Sequence, residues 1–181
     1  NNSQQNEYKQ YNEEILKKQE QLQKLFDELM TDEMKEMMEK LQEMMEKLDK
    51  GMMENEMEKL DMSNKDLEKE LDRSLELFKQ MEFDQKLDEA KTKLDELAKK
   101  QEELSEKTKD KKESNESLEK KQEELNKKFD EVKKDLEELN KMDKELERPK
   151  GIEEETKEQE KEISEDMENS SEQIHDNKNK K

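Results

Sequence analysis

The sequence predicts an all-α fold, an elongated helical bundle with a long antiparallel coiled-coil hairpin, on three observations. Apolar residues recur at alternating four- and three-residue steps along most of the chain, the spacing of one helical seam. Charged residues make up 51% and hydrophobic ones 25%, too little apolar material for a large globular core but enough for narrow helical stripes. Finally, two seams mirror each other about a polar stretch at 109–116, so that Leu97 would face Phe129, Leu94 Val132, Ala90 Leu136 and Leu87 Leu139.

A first helix is expected from Glu7 to Met30, with Tyr11, Ile15, Gln19, Leu22, Phe26 and Leu29 on its seam. A second runs from Asp32 to Asp49 with Met34, Met37, Leu41, Met44 and Leu48 on a stripe that Met38 and Met45 widen. Thr31 or Asp32 would cap its start, and Gly51 would end it in the left-handed conformation. A short piece from Met53 to Leu60 follows, and Ser63 with Asp66 resembles a capping box that opens the longest helix, 64–109. Its seam carries Leu67, Leu71, Phe78 and Met81, then Leu87, Ala90, Leu94, Leu97, Gln101 and Leu104, with the apolar spacing changing between Met81 and Leu87. After the turn KDKKESNES, a return helix is expected over 116–147, with Leu118, Gln122, Leu125, Phe129, Val132, Leu136, Leu139 and Leu146 inward. Pro149 and Gly151 stop it, because proline has no N–H for the ladder and forces its predecessor out of the helical region. A last, weaker helix over 152–175 has a half-polar seam: Ile152, Thr156, Gln159, Ile163, Met167 and Ile174. The ends, 1–7 and 176–181, have nothing to bury and are expected to be disordered. The expected domains are therefore the Met-rich helices 1–62, the long hairpin 63–147, and 148–181 with its break, weak acidic helix and tail.

Composition excludes several function classes. A formal charge of −19 and a pI near 4.7 repel phosphate backbones and anionic lipid surfaces, so neither a nucleic acid nor direct membrane contact is expected. The chain has no cysteine, hence no disulfide or thiolate metal site. No apolar run approaches the ~18 residues of a membrane span, and no signal peptide is present. Because it begins with Asn1 and stops in a polar tail, the chain reads as a fragment, whose anchor or targeting signal would lie outside it. Catalysis is not expected: there is no glycine-rich phosphate loop, no Ser-His pairing and one histidine only. That residue, in Glu172-Gln173-Ile174-His175, matches the Glu-x-x-His spacing of di-iron bundles, but no second copy exists. No cofactor or metal is expected.

Two features invite a binding role. Methionines crowd the stretch 30–62, and Met34, Met37, Met38, Met44, Met45, Met52, Met53 and Met57 form the candidate partner-binding set. Thioethers adapt to many apolar surfaces and equally well fill irregular gaps in a helical core, and the second use is the commoner. Seam glutamines Gln19, Gln101 and Gln122 are expected to penalise wrong registers, with Gln101 facing Leu125 and Gln122 facing Leu104. They lie at matching positions in KKQEQL (17–22), KKQEEL (99–104) and KKQEEL (120–125), a similarity that composition explains more readily than duplication.

The stretch 63–90, SNKDLEKELDRSLELFKQMEFDQKLDEA, resembles a family of large, uncharacterised Bacteroidetes proteins that carry a domain of unknown function. YNEEILKKQEQLQKLFDELM (11–30), LAKKQEELSEKT (97–108) and MENSSEQI (167–174) resemble the same family in the same order. The resemblance implies N-terminal transmembrane helices outside this chain, followed by a very long helical region in the periplasm, and it supplies no site residues. The resulting expectation is a non-enzymatic spacer or docking arm of the bacterial cell envelope, belonging to an inner-membrane-anchored protein, with unidentified protein partners and a capacity to self-associate. The alternative is a holdase-like module whose methionines bind apolar segments.

Overall fold

The computed structural model describes residues 2–53 and 57–180, with backbone alone for 2, 4, 5, 7, 8, 11, 51–53 and 57–63. Among the described residues there are five helices and no strand: α1 (Asn2–Leu29), α2 (Asp32–Met53), α3 (Met57–Asp110), α4 (Asn115–Glu145) and α5 (Glu153–Asn179). The fold is all-α. It divides into two compact units, residues 1–82 and 83–181, and the boundary falls inside α3.

The links between helices follow from short-range chemistry. At the α1–α2 link Met30 takes a positive φ of 46°, and the Thr31 hydroxyl caps α2 by accepting from the Met34 N–H at 3.2 Å. Lys111, at φ 54°, turns the chain after α3, and the Ser114 hydroxyl accepts from the Ser117 N–H at 3.3 Å to start α4. The expected stop at Gly51 and start at Ser63 do not occur: both lie within helices, and the Ser63 side chain is outside the described residues. A glycine inside a helix costs only ~1 kcal/mol relative to alanine, which a helix with a long apolar stripe can absorb.

Unit 1 closes around Leu22 of α1, Met34, Leu41 and Leu48 of α2, and Leu67, Leu71, Leu75 and Phe78 of α3. Lys18 of α1 bonds Asp72 at 2.7 Å, and Lys40 of α2 bonds Glu70 at 3.1 Å, so the first part of α3 lies beside both helices.

Unit 2 contains the rest of α3 with α4 and α5. Salt bridges Lys86–Glu138 (3.7 Å) and Lys93–Asp135 (3.2 Å) and the pair Gln101–Gln122 show that α3 and α4 run antiparallel. The buried residues Ala90, Leu94, Leu97, Leu104, Leu118, Leu125, Phe129, Val132, Leu136 and Leu139 share one core, with Leu87 packed against it half-buried. Helix α5 runs antiparallel to α4, since Lys144 meets Glu153 at one end and Glu119 meets Lys178 at the other. It adds Met167 and Ile174, and Ile152 just ahead of it, to that core. The helix therefore reaches Asn179, past the point where a disordered tail was expected at 176, because packing rather than intrinsic propensity supplies most helical stability.

Candidate partner-binding site

The methionine stripe of α2 owes its form to helical geometry. Met34, Leu41 and Leu48 recur every seven residues and form the buried line of the helix, at 0%, 2% and 8% exposure. Met37 and Met44 are also seven apart, as are Met38 and Met45, and these four are half-buried and packed against the core from its shoulders. Met34, Met37, Met38, Met44 and Met45 of the candidate set thus form, with Leu41 and Leu48, an apolar strip whose centre is spent on packing and whose shoulders are partly open. Side chains of Met52, Met53 and Met57 lie outside the described residues. Among the described residues the exposed methionine is Met30, at 69%, which sits in the α1–α2 link and was not in the candidate set.

Polar groups at the strip are few. The Gln19 amide donates to the Met45 thioether, so the seam glutamine of α1 lies against a shoulder methionine. Lys18 stands next to it in sequence, and its ammonium is held above the usual lysine range mainly by its hydrogen bond to Asp72. Nothing in this arrangement resembles a nucleophile beside a base, or a desolvated acid. What it offers chemically is adaptable, polarizable apolar surface.

Unit 2 presents charge instead. Lys86, Lys93, Lys100 and Lys107 repeat every seven residues along α3, and three of them meet carboxylates: Glu138, Asp135 and, at 3.7 Å, Glu113. These pairs are exposed and each is worth only ~0–1 kcal/mol, so their effect is to favour the antiparallel register. Beside the third pair, Glu113 accepts from Lys121 at 2.7 Å, which holds its carboxyl below the usual carboxylate range. An open cleft of about 520 Å³ lies between α3 and α4 with Leu97 and Val132 at its floor and Lys93, Lys100, Lys128 and Asp135 around it. Its lining is of mixed charge and open to solvent.

The seam glutamines meet more closely than expected. Gln101 and Gln122 exchange two hydrogen bonds, at 2.9 and 2.7 Å, and both are buried at 3% exposure. Their expected partners Leu125 and Leu104 lie one helical layer away, and the length of the glutamine side chain spans that offset. Gln122 also donates to Asn126 at 3.0 Å.

Two features escaped the sequence reading. Phe83 is fully buried and begins the core of unit 2, where Lys150 stands over its ring at 5.5 Å and pairs with Asp84. The change of apolar spacing between Met81 and Leu87 was its signal. Asp143, buried at 4%, accepts from the Lys150 and Gly151 N–H groups at 2.6 and 2.8 Å, which ties the loop after α4. An aspartate on a seam position, eight residues before a glycine, was its only trace.

His175 is exposed and lies 3.2 Å from Asn179 on the same helix. Among the described residues no group of three or more His, Asp or Glu side chains could hold a metal ion, and no helix is long and apolar enough to cross a membrane. No protein-family model, curated protein or solved structure matches the chain.

Proposed function

We propose that this chain is a non-enzymatic structural and protein-interaction module, a helical spacer or docking arm. One observation carries the reading. Nearly all the large apolar side chains among the described residues are used up in the two helical cores, and only Leu16, Met30 and Leu77 are exposed. Such a surface keeps helices apart from unwanted partners while leaving charged faces for specific ones. The acidic balance disfavours a nucleic acid as partner, so the partner is a protein. Placement in a bacterial envelope, on a membrane-anchored protein, rests on the resemblance of residues 63–90 and the flanking segments alone.

A second reading has its own observation. The half-buried shoulder residues Met37, Met38, Met44 and Met45 form a strip that a small rearrangement would open, as a holdase requires. A client-aggregation assay separates the two. A spacer leaves the aggregation of an unfolded client unchanged. Suppression by the native chain, lost when these four methionines become glutamine in a variant that keeps its helicity, would replace the spacer with the holdase.

A further inference from the structure

We propose that α5 is a detachable strap: it leaves the α3–α4 pair as a unit while the pair stays folded. The first observation is the quality of its buried face. α4 buries six large apolar side chains, Leu118, Leu125, Phe129, Val132, Leu136 and Leu139, beside the hydrogen-bonded Gln122 and Asp143, whereas α5 buries only Met167 and Ile174 fully and Ile163 by half, beside Thr156 and Ser170. A helix is held mainly by what it buries, so α5 is held less firmly than α4.

The second observation is independent of the first. The buried Oγ of Ser170 and Oδ1 of Asn140 have no hydrogen-bond partner, and a hydroxyl or amide oxygen withdrawn from water without one opposes the burial. Ser170 belongs to α5, and Asn140 stands against it, donating its amide to Thr156 at 3.4 Å. Detachment returns both oxygens to water.

Charge acts in the same direction. Eleven carboxylates and three lysines lie on α5, and Glu160 is half-buried, so that its desolvation opposes the docked state by more than Lys133 of α4 relieves it, with Glu137 of α4 adding to the opposition and Lys157 easing it least. The ion pairs that tie the helix ends, Lys144–Glu153 and Lys178–Glu119, are largely exposed and therefore weak.

The fold also provides a hinge. Asp143 binds the N–H groups of Lys150 and Gly151, and Lys150 pairs with Asp84, so the loop stays fastened to α4 and α3 when the helix beyond it departs. Gly151, at φ 69°, stands at that point, and a Cβ added there would meet no atom within 4 Å. Released, the strap uncovers the apolar seam between α3 and α4.

Hydrogen exchange of the full chain, followed by mass spectrometry, tests the strap by comparing residues 160–174 with residues 122–136. The strap requires exchange on the order of tenfold or more faster in the first segment. Ser170→Ala removes the unpartnered hydroxyl and should slow exchange in 160–174 several-fold while leaving 122–136 unchanged. Ser164→Ala, at an exposed site of the same helix, raises helix propensity alike and should slow it less. Equal rates in the two segments, or equal effects of the two substitutions, would overturn the proposal.

Discussion

Unit 1 packs Met34, Leu41 and Leu48 between half-buried methionines, whereas unit 2 packs leucine, phenylalanine and valine around a hydrogen-bonded glutamine pair. The same KKQE-type motif occurs in both. In α1 its glutamine, Gln19, meets a thioether, while in α3 and α4 its glutamines meet each other. Its leucine is buried in all three copies, as Leu22, Leu104 and Leu125. Thioether surroundings accept a polar neighbour in many geometries, while two facing amides accept one another in few. One motif therefore serves an adaptable interior in unit 1 and a specified register in unit 2.

If unit 2 is the precisely packed one, truncation there has the largest effect. Phe129→Ala removes a ring that is 3% exposed, and a loss of about 3–5 kcal/mol is expected in denaturant unfolding. A loss below ~1 kcal/mol would mean that the core of unit 2 collapses around the gap, which would remove the contrast with unit 1.

Asp143→Ala comes next. It leaves the Lys150 and Gly151 N–H groups without their acceptor, and stability should fall by about 1–3 kcal/mol. The same measurement sharpens the strap: exchange in α5 should rise more than exchange in the first half of α4, because the hinge is what has been loosened.

The glutamine pair gives a smaller, signed test. Gln101→Leu or Gln122→Leu alone strands a buried amide and should cost ~1–3 kcal/mol, while the double substitution should be near neutral or stabilising. Specificity should fall as stability recovers, so the double variant is expected to show concentration-dependent association in sedimentation. A double variant as unstable as the sum of the singles would show that the pair is not a coupled unit.

In unit 1 the expected effects are slight. Met34→Leu, at a fully buried site, should cost less than ~1.5 kcal/mol, because flexible neighbours such as Met37 and Met38 can repack around it. A larger loss would make unit 1 as specified as unit 2.

Much of this architecture was legible in the chain. Alternating four- and three-residue spacing put Leu22, Leu67 and Leu71 on the seams of their helices, and the mirrored pattern paired Leu97 with Phe129 and Leu94 with Val132; all are buried in the two cores. The role of Asp143 was not legible, because a loop's hydrogen bonds depend on where Pro149 and Gly151 turn the backbone, and periodicity carries no such information. The order in α5 was underestimated for a related reason: a half-polar seam looks marginal until the partner seam it covers is known. Methionine marked α2 as apolar without saying how much of the strip would close, since one spacing puts Met34 in the centre and Met38 on the shoulder.

The smallest effects are set by pH, and two carboxylates of unit 2 should respond with opposite signs. Glu113 accepts from Lys121, which lowers its folded pKa below the unfolded value of about 4.3, so its contribution is present above that value and is lost as pH falls through the folded pKa. Glu113→Gln should therefore lower stability at pH 7 and change nothing once both states are protonated. Glu160 is the reverse case: burial raises its folded pKa, so the folded chain binds its proton more tightly and the neutral-pH carboxylate opposes folding. Glu160→Gln should raise stability at pH 7, and the gain should disappear as acid protonates the native residue. Parallel melting curves of the native chain and both variants between pH 7 and 2 would show two difference curves that start on opposite sides of zero and converge. Both curves starting below zero would mean that the Lys133 and Lys157 charges near Glu160 outweigh its desolvation, and the charge invoked for the strap would then have to come from the other carboxylates of α5 alone.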